Sequence, residues 1–111
     1  MTWAINPERI KLVERAADTL EYVLKNNIRP LDIVTPQAID NAFILDLAMG
    51  GSSNTVLHTL ALACEAGIPY SLKRINKLAQ LTPTFCKVSP SRPDVHMEDV
   101  ERVGGIGAIL K

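Results

Sequence analysis

From Pro7 to about Lys25 the apolar residues Ile10, Val13, Ala17, Leu20 and Leu24 return every three or four positions, with charged side chains between them. That period predicts an amphipathic helix with one buried stripe. Asn6 offers a capping side chain, Pro7 suits the first helical position, and Glu8 favours the positive end of the helix dipole. The helix is expected to stop near Asn26 and Asn27, ahead of Pro30. Residues 29–34 read as a short extended connector. Thr35-Pro36 then restarts a helix, a hydroxyl cap followed by proline. Its apolar residues Ile39, Ala42, Phe43, Leu45, Leu47, Ala48 and Met49 cover most of the circumference toward its end, so it needs burial on more than one side.

Gly50-Gly51-Ser52-Ser53-Asn54-Thr55 interrupts the pattern, and a third helix is predicted over residues 56–66, with Ser52 or Ser53 as cap and Gly67 as its stop. Ser71 opens a fourth helix through about Leu81, with Leu72, Ile75, Leu78 and Ala79 inward, ended by Thr82-Pro83. Residues 85–88 carry the pattern of a short strand. Residues 89–95 hold two prolines and read as a loop, residues 97–103 as one or two helical turns. After Gly104-Gly105 a last apolar segment, residues 106–110, runs to Lys111 without a cap or polar tail, the pattern expected of a truncated segment. The expected fold is therefore mainly α, about five helices with room for one short strand.

Composition narrows the class. The 111 residues are 47% apolar and 22% charged, ordinary for a soluble domain and enough for one core but not two. No repeat or linker marks a second domain, so residues 1–111 form a single segment. Twelve basic and twelve acidic residues leave no cationic surplus to neutralise a nucleic-acid backbone. The longest apolar runs fall far short of a membrane span of about 20 residues, and the N-terminus mixes charges where a secretory signal would be apolar. No nucleic-acid or membrane partner is expected, and the cytoplasm is the default compartment. Cys64 and Cys86 lie apart with no CxxC, and the simplest reading is two buried reduced thiols.

The 50–55 turn concentrates backbone N–H groups, a helix dipole and hydroxyls at one helix start, an arrangement that can hold a carboxylate or phosphate. As a bare pattern a plain turn and cap is the simpler reading, because the P-loop lysine and a GxGxxG are both absent. His58 sits one turn further on, with Glu65 seven residues later. No second ligand stands four positions from it, so a polar or hydrogen-bonded histidine is the simpler reading. His96, Glu98 and Asp99 could be a metal or acid–base cluster, or a helix start whose acids answer the dipole. Neither histidine has a paired nucleophile, which argues against a hydrolase.

Two longer strings connect these features. Asp46-Leu-Ala-Met-Gly-Gly-Ser-Ser-Asn-Thr-Val-Leu-His58, with Ala63-Cys-Glu-Ala-Gly67, resembles a signature stretch of the dihydroxy-acid and sugar-acid dehydratases. Thr82-Pro83, Cys86-Lys-Val-Ser-Pro90, His96-Met-Glu-Asp99 and Gly104-Gly105 resemble the next stretch, in order and at similar spacing. The resemblance covers roughly residues 28–111. Asn54-Thr55 and the His96-Met-Glu-Asp form are more similar to the branched-chain amino-acid branch than to the phosphogluconate or sugar-acid branches.

The resemblance implies a hydro-lyase that converts a 2,3-dihydroxy acid to a 2-keto acid in valine and isoleucine synthesis. It also implies an iron–sulfur cluster as Lewis acid at the 3-hydroxyl, a magnesium ion at the carboxylate end, and a homodimer in the cytoplasm or, in eukaryotes, an organelle. The family's cluster cysteines, magnesium-binding acids and catalytic serine lie in strings that this chain does not contain. No catalytic or metal-binding residue is therefore carried over, and the segment alone is expected to hold neither cofactor. The expectation is an inactive internal piece of the N-terminal α/β domain, needing the rest of the dehydratase chain as partner. In it Gly50, Gly51, Ser52, Ser53, Asn54 and Thr55 lie near substrate or cluster. The alternatives are a self-standing helical binding module and a piece of a phosphogluconate or sugar-acid dehydratase.

Overall fold

The computed structural model describes residues 6–89 and 91–110; Pro90 of the expected loop and Lys111 after the last apolar segment lie outside the described residues. Seven helices follow one another: α1 (Glu8–Lys25), α2 (Pro30–Ile33), α3 (Pro36–Ala48), α4 (Ser53–Glu65), α5 (Leu72–Leu81), α6 (Met97–Arg102) and α7 (Ile106–Ile109). The mainly helical expectation holds, and the two additional helices are single turns.

The caps explain the boundaries. Asn6 Oδ1 accepts the Glu8 N–H at 2.9 Å, and Thr35 Oγ1 accepts the Ala38 N–H at 3.1 Å. Ser52 and Ser71 do the same for Asn54 and Arg74. With Ser52 as cap, α4 begins at Ser53, so Ser53, Asn54 and Thr55 belong to its first turn and not to the preceding loop. Asn27 takes φ 51° just past α1, and Gly67 takes φ 67° just past α4; both conformations turn the chain out of a helix.

Two local expectations need correction. The 29–34 connector contains α2, because Pro30 is pre-set for a first turn and the Asp32 carboxylate accepts the Arg29 N–H at 2.8 Å. The 85–88 strand is not formed, and no strand occurs among the described residues. Instead the Phe85 and Cys86 N–H groups both donate to the carbonyl of Ala48, at 2.8 and 3.2 Å, so this extended segment closes the end of a helix.

The core lies where α3 meets α4 and α5. Ile39 and Phe43 of α3, Ala63 of α4 and Ile75 of α5 are buried, sealed by Val34, Val56, Leu60, Ile68, Tyr70 and Leu78. Leu72 and Ala79, expected inward on α5, are exposed, because α5 meets the core only through Ile75 and Leu78. Neither thiol is buried: Cys64 is exposed on α4 and Cys86 is half-buried on the extended segment.

A polar knot fastens α5 to α3 beside this core. Arg74 donates to both Asp40 oxygens, at 2.7 and 2.5 Å, and the Tyr70 hydroxyl donates to Asp40 Oδ1 at 2.5 Å. The Tyr70 ring lies parallel to Phe43, centroids 5.7 Å apart, with the Arg74 guanidinium over it. The guanidinium holds the Asp40 carboxyl below its usual range and is itself raised by it. Burial, and then the bond to Asp40, push the Tyr70 hydroxyl up to about 12.

Outside that core the chain is open. Helix α1 buries no residue, and its stripe leaves Ile10, Val13, Leu20 and Leu24 between 60% and 73% exposed. The radius of gyration is 16.0 Å, against about 13 Å for a compact domain of this length.

Candidate functional site

The 50–55 turn is built by the last turn of α3 and the first turn of α4. Gly50 and Gly51 take positive φ, 79° and 25°, and reverse the chain between them. The Gly51 N–H donates back to the Asp46 carbonyl at 2.7 Å, which closes α3. Ala48, just before the turn, is buried, so the turn stands on packed structure.

Asp46 organises the start of α4. Its Oδ1 accepts the Thr55 hydroxyl at 2.7 Å and its Oδ2 accepts the Ser52 N–H at 3.3 Å, tying both helices to one carboxylate. A Cβ on Gly51 would stand 2.5 Å from Asp46 Oδ2, so a larger residue there is strained by φ and would push that carboxylate aside. On the other side the 85–88 segment crosses the turn, where a Cβ on Gly50 would meet Lys87 Cγ at 3.3 Å.

Between these parts lies an open cavity of about 350 Å³, whose walls include Leu45, Asp46, Met49, Ser52, Thr55 and Ser89. A second depression of similar volume, reached by Asp46, Ser53 and Thr84, opens across the turn. All six sequence-derived residues belong to this turn; Gly50 to Asn54 are exposed and Thr55 is half-buried.

Most backbone donors of the turn are already engaged. The Asn54 N–H donates to Ser52 Oγ at 3.2 Å and the Thr55 N–H to the Ser52 carbonyl at 3.0 Å, while the Gly51 and Ser52 N–H groups point to Asp46. An arriving anion would meet a carboxylate where the bare pattern offered free N–H groups. What remains is an array of hydroxyls around an acceptor, suited to hydrogen-bonding hydroxyl groups. Asp46 opens the first sequence string, yet the pattern alone does not single it out as a site residue. The signal that marks it is a carboxylate six residues before a capping serine, with two glycines between.

The other candidates separate. His58 and Glu65 are both exposed on α4. At α6, Asp99 Oδ2 accepts the His96 N–H at 2.8 Å, and Glu98 and Asp99 both pair with Arg102, so this cluster serves the helix start. Among the described residues no three His, Cys, Asp or Glu side chains gather as a metal site. An iron–sulfur cluster takes several thiolates, and the two cysteines of the chain sit on separate elements. The donor set does not fit the iron–sulfur cluster that the resemblance implies.

The comparisons with known proteins agree with the two strings. The family model described as dihydroxy-acid/6-phosphogluconate dehydratase N-terminal matches residues 1–111. No solved structure matches the chain.

Proposed function

The chain belongs to the dihydroxy-acid/6-phosphogluconate dehydratases, within their N-terminal region, and on that premise we propose that it is a helical layer of a hydro-lyase acting on 2,3-dihydroxy acids. In this reading the 50–55 turn forms one wall of the substrate pocket. The thiolates, the magnesium-binding acids and the base come from the remainder of the enzyme. The reaction is the dehydration to a 2-keto acid in branched-chain amino-acid synthesis, favoured over the phosphogluconate branch by Asn54-Thr55 and by the His96-Met-Glu-Asp string.

One observation carries the claim that the chain works as a layer. Its accessible surface is 8490 Å², whereas a compact monomer of 12.2 kDa exposes about 6,100 Å². The excess, roughly 2,400 Å², is of the size that obligate interfaces bury. It includes the apolar stripe of α1, a helix that buries no residue. The rest of the dehydratase is the proposed cover, and a second copy of the whole enzyme the proposed dimer partner, in the cytoplasm or an organelle. No helix among the described residues is long and apolar enough to cross a membrane.

The test is made in the complete dehydratase carrying this segment. Asn54→Ala and Thr55→Ala together are expected to raise KM for a branched 2,3-dihydroxy acid, and unchanged turnover and KM would remove the turn from the pocket. Comparing that substrate with 6-phosphogluconate decides the branch, since preferential dehydration of the phosphorylated acid overturns the assignment.

A further inference from the structure

We propose that Asp46 is the positioning residue of the 50–55 turn, and that it fits this helix start for a hydroxyl-bearing ligand and not for an anion. Three contacts converge on its side chain: the Thr55 hydroxyl at 2.7 Å, the Ser52 N–H at 3.3 Å, and the van der Waals surface of Gly51. Its own backbone carbonyl holds the Gly51 N–H at 2.7 Å. One residue of α3 therefore sets the path of the turn, the cap of α4 and the direction of the Thr55 hydroxyl.

The direction matters because a hydroxyl has one proton. Thr55 spends its proton on Asp46, so toward the cavity its oxygen offers lone pairs and accepts. The carboxylate is an acceptor only, and together the two present a surface that receives O–H donors. A ligand hydroxyl satisfies it, whereas a ligand carboxylate or phosphate brings a second negative charge against Asp46. For a dihydroxy acid this places the hydroxyl-bearing carbons toward the turn and the carboxylate away from it. That orientation rests on the proposed place of the turn in the substrate pocket, whereas the positioning role rests on the contacts alone.

The experiment separates the two. Amide hydrogen exchange and amide NMR shifts of residues 51–55 are followed in the chain and in Asp46→Asn, Thr55→Val and Thr55→Ser, each with increasing inorganic phosphate. Loss of one such hydrogen bond is expected to lower protection at Ser52 and Thr55 about tenfold in Asp46→Asn. Thr55→Val shows a similar loss and Thr55→Ser restores protection, with far amides such as those of α5 unchanged. Phosphate is expected to shift the turn amides of Asp46→Asn but not those of the parent chain. Unchanged protection in both Asp46→Asn and Thr55→Val overturns the positioning role, and equal phosphate shifts in parent and Asp46→Asn overturn the selectivity. In the complete dehydratase, Asp46→Asn is expected to raise KM for the dihydroxy acid about tenfold with a smaller change in kcat. A loosened turn with KM and kcat both unchanged would sink the pocket reading and leave the positioning role standing.

Discussion

Phe43→Ala tests whether the α3–α4–α5 junction is the structural centre of the chain. Phe43 is 1% exposed and is the largest fully buried side chain; it lies against Tyr70 in a ring stack. Its ring buries on the order of 150–200 Å², worth about 4–5 kcal/mol at 25 cal/mol per Å². The lost stack adds about 1 kcal/mol, and partial collapse of the site returns some of the total. A loss of about 3–5 kcal/mol is expected, as for other buried Phe→Ala changes. For a chain of this size it lowers Tm by at least about 12 °C. Phe43→Leu keeps most of the volume and should cost less than about 1.5 kcal/mol. Urea unfolding followed by far-ultraviolet circular dichroism gives both numbers on one scale. If Phe43→Ala costs under about 1 kcal/mol, or Phe43→Leu costs as much as Phe43→Ala, the core is not where the burial places it.

Stability should depend on pH at both ends through the Asp40 knot. Asp40 is held below its ordinary value of 3.8, so its contribution is present above that value and is lost as pH falls through the depressed one. Tyr70 is raised from 10.0 to about 12, so its contribution is present below 10 and is lost as pH rises through about 12; in a Tm-against-pH series Asp40→Asn should remove the acid edge and only reduce the alkaline one, because burial is the larger cause of the Tyr70 shift. Gly51→Ala, strained by φ and pressed on Asp46, should cost about 1–3 kcal/mol. Gly107→Ala, with open space and no left-handed φ, should be neutral or stabilise by up to about 1 kcal/mol, and equal Tm values would refute the contact at Gly51. The chain should bind a hydrophobic dye in its folded state, and Leu20→Glu with Leu24→Glu should reduce that fluorescence while leaving Tm nearly unchanged. A large drop in Tm would mean that the α1 stripe is already covered.

What was legible in the sequence was local. Thr35 and Ser71 act within three residues of themselves, so a hydroxyl at the right offset from an apolar run sufficed to place the starts of α3 and α5, whereas α4 begins at Ser53, three residues before the expected position 56, because Ser52 caps it. The turn residues were legible for the same reason, since two glycines admit positive φ where other residues resist it. Features that depend on distant segments were not. Residues 85–88 read as a short strand, but the N–H groups of Phe85 and Cys86 bond the carbonyl of Ala48, and no strand occurs among the described residues. Leu72 and Ala79 share a helical period with Ile75, yet nothing in the described chain lies over them. Burial of the cysteines is a general habit of the residue type, and the local sequence holds no information about which face of α4 meets α3.

The division between what this chain builds and what it leaves to others runs through its own structure. The turn rests on Ala48, which is buried, and is held by Asp46 on α3, the helix that also carries Phe43 and Ile39. Its shape is therefore set by the part of the chain that has a core. Helix α1 is the opposite case: its period demands a buried stripe, and the stripe is exposed. Under the proposed function, that open face is where the rest of the enzyme packs. The pocket wall should accordingly keep its geometry when α1 is perturbed. In the Leu20→Glu, Leu24→Glu variant the amides of Ser52 and Thr55 should retain their protection even where association with the rest of the enzyme is lost. Loss of protection there would show that the turn depends on the covering layer and not on the α3–α4–α5 core.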